Sequence, residues 1–324
     1  MRLLRLFLLS LPLVVAAVFA APLQAQDWPQ RPVKILVPFP PGGNSDGQAR
    51  IVAQRFTEVF GQPFVVENRT GAGGALAVEG AVHAPADGYT LLWGVQPQIV
   101  ILPAVNKVSY DAVKDLVPIS VLGTNSFVLV INGKIPAKTV PEFVDYLRTN
   151  RATMNYGTNG VGSVAHLSMA LFLEKVGVRL PPVHYRGNAE AMTDVIAGHI
   201  PAMFATLPDA LPQATKSEVR LLAVTGDKRA AQLPQVPTIA ESGYPDYRII
   251  TWNGLMAPAG TPRPIIDRLA AEMARAVKDP AFAARVTAFG VDPLGNSPAE
   301  FARLIATEIP LWKQAVAIAE VKSP

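Results

Sequence analysis

The chain has 324 residues, of which half are apolar and 17% charged, with no cysteine and a formal net charge of +4. That composition belongs to a globular protein with a large core and excludes a disordered chain. It also excludes a disulfide scaffold and a lipid-modified N-terminal cysteine. There is no Lys/Arg run of the kind that binds nucleic acid, and four histidines without cysteine give no metal-ligand spacing such as HExxH.

Arg2 and Arg5 precede an almost wholly apolar run from Leu6 to Ala21, followed by "PLQAQDW". This is the charged, apolar and small-residue order of a secretory signal peptide. The run is shorter than the roughly twenty residues that span a bilayer. Residues 1–25 are therefore expected to be removed after Ala25, and the periplasm is the expected location. A retained N-terminal anchor is the alternative. The remaining chain carries 27 basic and 25 acidic residues, a formal charge of +2. Its length suffices for two domains.

"VKILV" (Val33–Val37) reads as a buried parallel strand. A Pro/Gly turn follows, then a helix with Ala49, Val52, Ala53, Phe56 and Phe60 on one face and Gly61 at its end. Ser45 or Asp46 is the expected N-cap, with Gln48 completing a capping box. "PFVVENR" and "YTLLWGV" predict two more strands around a helix near Gly74–His83. Strand alternating with helix means a parallel sheet covered on both faces.

"ISVLGTNSFVLVIN" (Ile119–Asn132) is about twice the usual strand length and is expected to cross between domains. A helix capped by Thr139 and Glu142 follows. "TMNYGT" predicts a strand, and "GVGSVAHLSMALFLEKVG" a glycine turn into a helix capped by Ser163. "PPVHYRG" is extended and precedes a helix over Ala189–Ala197. Further strands are expected at Ile200–Thr206, Arg220–Thr225 and Ile250–Pro258. Two helices close the chain, one after Thr261-Pro262 and one capped by Ser297 with Glu300.

Two turns have the same form. "VPFPPGGNSDGQAR" and "YGTNGVGSVAHL" are each a strand end, a glycine turn and a helix start. Glycine permits the backbone angles that align several N–H groups, and a helix N-terminus adds unpaired donors and partial positive charge. Both are suited to an anion. No GxxxxGK[ST] or complete GxGxxG is present, so a nucleotide is not the expected occupant and no cofactor is called for.

"VKILVPFPPGGNSD", "FVVENRTGAGG", "PADGYTLLWG", "LLAVTGDKRAAQLPQVPTIAESGYP" and "WNGLMAPAGTP" occur in the order found in the Bug receptors. These are the solute-binding components of tripartite tricarboxylate transporters, and the chain resembles them over its whole mature length. The resemblance implies a type II periplasmic binding-protein fold: two α/β domains joined by two crossing strands, with a ligand cleft between them. Residues 26–124 and 250–324 would form one domain and 125–249 the other. The expected partners are a small carboxylate ligand and the membrane permease subunits of such a transporter, with the receptor a monomer.

In that family two loops grip the ligand's carboxylate, and the matching loops here are Phe39–Asp46 and Tyr156–His166. Phe39 would wall the cleft. Gly42, Gly43 and Ser45 would donate from one domain, and Thr158, Gly162 and Ser163 from the other. Asp46 is expected to cap rather than to touch the ligand. His166 either donates a hydrogen bond or packs near the mouth. Ala205 stands where many members carry an aspartate, so an amino-acid ligand becomes less favoured and the distal pocket less polar. A ligand-binding sensor is the second reading. A secreted hydrolase is the third; Ser163 and His166 stand three residues apart in a first helical turn, a spacing that capping and packing explain as well as catalysis does, and the expectation is a receptor, not an enzyme.

Overall fold

The computed structural model describes residues 28–321, so the expected signal peptide and its cleavage site lie outside the described residues. Strand β1 (Val33–Val37) opens the fold, with α1 (Asn44–Phe60), β2 (Phe64–Asn68), α2 (Ala75–Val82) and β3 (Thr90–Val95) after it. A π-helical turn at Pro97–Ile101 leads into the short α3 (Leu102–Val105). Then come β4 (Leu116–Asn132), α4 (Val140–Asn150), β5 (Tyr156–Thr158), α5 (Val164–Lys175) and β6 (Pro182–His184). They are followed by α6 (Asn188–Ala197), β7 (Ala202–Thr206), α7 (Leu207–Ala210) and β8 (Val219–Val224). The chain ends with β9 (Ile250–Pro258), α8 (Arg263–Ala276), α9 (Pro280–Thr287), β10 (Asp292–Pro293) and α10 (Pro298–Ile318).

The sheet runs in the order β2-β1-β3-β9-β4-β7-β5-β6, with β8 and β10 also pairing with β4. At one end β1 lies parallel between β2 and β3; at the other β5 lies parallel between β6 and β7. Strands β9 and β4 are antiparallel to each other and to their outer neighbours. Each parallel set is the product of strand–helix–strand crossovers, as the alternating pattern in the sequence predicts.

Strand β4 is shared between the two halves. Its residues Leu116–Ser126 pair with β9, and Phe127–Asn132 pair with β7 and β8. The handover is locked by Thr225, whose side chain is fully buried. Its hydroxyl accepts from the Phe127 amide at 2.9 Å and donates to the Ile249 carbonyl at 2.6 Å. Its own backbone bonds Phe127 O and receives the Ile249 amide, each at 2.9 Å. One threonine thus ties β4, the end of β8 and the approach to β9. Farther along β4, Gly123 lets β10 come against the strand; a Cβ there would collide with the Asp292 carbonyl.

A continuous apolar cluster passes through both halves, holding Leu36 and Leu92 at one end, Phe143 and Phe204 at the other, and Trp252 and Phe301 between them. A carboxylate interrupts it. Glu308, on α10, is only 7% exposed. Its Oε2 accepts from the Trp252 indole N–H at 2.9 Å and the Gln96 amide at 3.1 Å. Burial pushes its carboxyl up to about 7, and these bonds only partly offset the effect.

Some boundaries depart from expectation. Helix α1 begins at Asn44 with Gly43 as its N-cap, so neither Ser45 nor Asp46 occupies the cap and no Ser45–Gln48 capping box forms. Gly42, just ahead of that cap, takes a left-handed φ of +83°. Three helices, not two, follow β9: Asp279 caps the extra helix α9 through bonds from Ala281 N and Phe282 N. The caps expected at Thr139, Ser163 and Ser297 are present, the last as a full capping box.

Thr225→Val keeps the shape but leaves a buried N–H and a buried C=O without the hydroxyl. It is expected to lower the unfolding free energy by about 2–4 kcal/mol in urea titration, whereas Thr225→Ser costs about 1 kcal/mol for a lost methyl. A second expectation concerns Glu308. A carboxyl with a raised folded-state pKa is most favourable below its unfolded value of 4.5, and that advantage is lost as pH rises through about 7. Relative to Glu308→Gln, the native protein should therefore lose stability between pH 4.5 and 7, by an amount on the order of 3 kcal/mol. Melting temperatures of both proteins across that range check it.

Candidate functional site

The first turn leaves the carboxyl end of β1 at Val37. Phe39 is half-buried against the apolar cluster beneath α1, and its carbonyl accepts from Asn68 Nδ2 at 2.9 Å. Gly42 and Gly43 are exposed, and Ser45 is half-buried with its hydroxyl oxygen enclosed and without a hydrogen-bond partner among the described residues. Asp46 is buried at 2% exposure. Its Oδ2 accepts from the Gly42 amide at 2.9 Å and Arg50 Nε at 2.8 Å, and its Oδ1 from Asn68 Nδ2 at 2.8 Å. Burial alone would raise its pKa, but Arg50, the Gly42 amide and Asn68 together hold it down to about 2. Its negative charge is thereby matched locally.

The second turn follows β5. Tyr156 and Thr158 are buried. The Thr158 hydroxyl lies 2.8 Å from His184 Nδ1 and accepts from the Gly160 amide at 3.2 Å. Gly162 has a φ of +69°. Ser163 is the N-cap of α5, its Oγ accepting from the His166 amide at 3.2 Å. The His166 ring is buried, and its Nδ1 accepts from the Gly162 amide at 3.1 Å. Nε2 therefore carries the hydrogen, and it has no partner in the protein among the described residues. Burial, and then the neighbouring His184, lower its pKa to about 4, so the ring is neutral at ordinary pH.

The amides of Gly42 and Gly162, expected as donors to a ligand, are each committed to a side chain of their own helix. The amides of Gly43, Asn44, Ser45 and Asp46 meet no protein acceptor among the described residues, and neither do those of Val164 and Ala165. These are the orphan donors that every helix start leaves.

Ala205 lies elsewhere in kind. It is fully buried on β7 opposite Val128, within an apolar cluster that includes Val130, Met203 and Leu207. Sequence reasoning missed the supports around the turns. Arg50 lies one helical turn from Asp46, a spacing that could have been read. Asn68 and His184 reach their partners only through strand register, Val37 against Asn68 and Thr158 against His184.

No hydrogen bond or ion pair joins the two turns directly among the described residues. Their neighbours, however, span the two halves. Gly162 packs against Val105, a Cβ on it lying 3.5 Å from that side chain. Asn44 Nδ2 donates to the Phe289 carbonyl at 3.1 Å, and Gly290 approaches Pro208 beside β7. A hollow of about 650 Å³ near the start of α4, lined by Lys138, Arg220, Arg229 and Glu241 among others, contains none of the turn residues. Among the described residues no group of three or more His, Asp or Glu side chains could hold a metal.

Known proteins fit this geometry. The family model of the tripartite tricarboxylate transporter family receptor matches residues 48–320. Protein BugT of Bordetella pertussis is 34% identical over 301 residues, covering 92% of this chain and 92% of that protein. Among solved structures, R. palustris Rpa4515 with adipate superposes with a TM-score of 0.74 at 33% identity, covering 92% of this chain and all of that one. MatC from Rhodopseudomonas palustris with bound malate gives 0.69 at 31% identity, over 89% of this chain and 99% of that one. The fold is that of a periplasmic binding protein, and the chain belongs to the tripartite tricarboxylate transporter receptor family, whose members are solute-binding receptors rather than enzymes.

Proposed function

We propose that the protein binds a small carboxylate between its two halves, residues 26–124 with 250–324 and residues 125–249, and presents it to the membrane subunits of a tripartite transporter. The observation that carries this reading is the pair of helix starts, α1 and α5. Each follows a glycine turn at the carboxyl end of a parallel strand, and each has amides without a protein acceptor. Such ends attract negative charge and need no lysine or arginine to do so. Ser45 Oγ, enclosed and unpartnered, adds a side-chain donor to the first, and Ser163 keeps its hydroxyl hydrogen free to donate from the second. That Rpa4515 is seen with adipate and MatC with malate supports a carboxylate as the ligand class.

The two crossing strands supply the means of closure. Residues around Phe127, Thr225 and Ile249 join the two strand sets, and bending there would bring α1 and α5 onto one ligand. An export signal in residues 1–25 and a periplasmic location agree with this role.

A thermal-shift comparison of acids with their neutral amides tests the reading. At about a hundredfold excess over Kd, a carboxylate that fits should raise the melting temperature by roughly 5 °C. Adipate and malate are the first probes, with benzoate as an aromatic monoacid. The corresponding amides should give little shift, because the helix ends favour a full negative charge. Equal stabilisation by acids and amides would refute the carboxylate grip.

A further inference from the structure

The two turns share a bond that the glycine pattern does not announce. In each, a left-handed glycine precedes the N-cap, and the third helical residue reaches back to take that glycine's amide. Asp46 does this for Gly42 and His166 for Gly162, at 2.9 and 3.1 Å. Two other helices make a bond between the same positions: Glu142 accepts from Lys138 N ahead of α4, and Glu190 from Arg186 N ahead of α6. Those acceptors are exposed glutamates, and the residues they hold are not glycine. Only at the two turns, among these four, is the acceptor buried and the held residue a left-handed glycine.

The acceptor chemistry follows the local charge. Asp46 has Arg50 and Asn68 to match its carboxylate. Among the described residues His166 has no cation in hydrogen-bond reach; its ring stands edge-on to His184 at 4.8 Å and tilted to Tyr156 at 6.3 Å. A buried carboxylate there would be uncompensated, whereas a neutral imidazole offers one lone pair without charge. Both residues therefore deliver the same acceptor while adding no unmatched negative charge beside an anion site.

We propose that Asp46 and His166 are a matched pair of positioning residues: each pins the left-handed glycine ahead of its helix and so holds the neighbouring helix-start amides in place for a carboxylate. The inference rests on the carboxylate reading above and gives each residue a task within it. Asp46 sets the amides of Gly43 to Ser45, and His166 those of Val164 and Ala165. Neither touches the ligand. The Gly42 and Gly162 amides are structural, and the carboxylate is held by the donors after them.

The test separates the latch from the ligand. In ligand-free protein labelled with nitrogen-15, a scalar coupling across the hydrogen bond should link the Gly162 amide to His166 Nδ1, with the ring hydrogen on Nε2. His166→Asn places a carboxamide oxygen near the Nδ1 position and should keep Gly162 amide exchange slow. His166→Gln places its oxygen too far along and should lose that protection. Adipate and malate titrations should follow the same order, His166→Gln and Asp46→Ala weakening binding at least tenfold and His166→Asn restoring it to within about threefold of the native protein. A ring hydrogen on Nδ1, or native affinity in His166→Gln, overturns the proposal. If the native protein binds neither these nor other carboxylates, the carboxylate reading fails, and the coupling alone then decides whether the latch exists.

Discussion

A single strand, β4, has to satisfy two sheets at once. Its first eleven residues are committed to β9 and its last six to β7 and β8, so its backbone hydrogen bonds cannot all belong to one rigid plane. The change of partner falls between Ser126 and Phe127, and there the ladder would leave donors and acceptors unmatched. Thr225 fills that gap with both its backbone and its hydroxyl. The result is a hydrogen-bonded joint between the two strand sets, over which the continuous apolar cluster also passes. The positions of α1 and α5 relative to each other follow from this link, because each helix is fastened to its own parallel strand set.

That placement explains why so few charged side chains are needed at the candidate site. A helix start provides oriented N–H groups that folding has already fixed, and α1 and α5 are long enough, at 17 and 12 residues, for their dipoles to develop. Charges near the turns are neutralised in place: Asp46 by Arg50, and His166 by remaining unprotonated. An incoming anion then meets partial positive charge from the amides without a fixed ion pair to break. On the proposed reading, such a site would recognise the carboxylate as a class and leave selection among carboxylates to the surrounding walls.

Much of this arrangement was legible in the sequence. The strand at Ile250–Pro258 was placed residue for residue, because an apolar β-rich run between proline-containing loops admits little else. The length of Ile119–Asn132 pointed to a strand crossing between units, and the structure extends it back to Leu116. Ser163 and Ser297 were readable as caps because each hydroxyl stands three residues before the backbone N–H it accepts from. The start of α1 was not, since "GGNSD" offers three polar residues that can cap, and only the left-handed turn at Gly42 decides for Gly43. Helix α9 escaped notice because Asp279-Pro280 looks like the end of one helix as much as the beginning of another. Strand β10 has two residues and owes its existence to the missing side chain at Gly123, a tertiary fact. The partners of Asp46 and Thr158 across neighbouring strands are of the same kind, since register is settled only when the sheet is assembled.

The first turn is also wired to the link itself. Asn44 Oδ1 receives a bond from Gln48 Nε2, and Gln48 Oε1 receives one from Asn253 Nδ2 at 2.9 Å. Asn253 belongs to β9, where it pairs with Gly123 of β4 on one side and Val95 on the other. Gln48 is fully buried, so this relay runs through a region of low dielectric where leaving any member unpaired is costly. From the opposite side, Asn44 Nδ2 holds the Phe289 carbonyl, and the adjoining Gly290 abuts Pro208 of the other half while accepting from Asn125 of β4. The helix start that offers free amides is therefore braced against both crossing strands. In the proposed closure, turn and helix would move together.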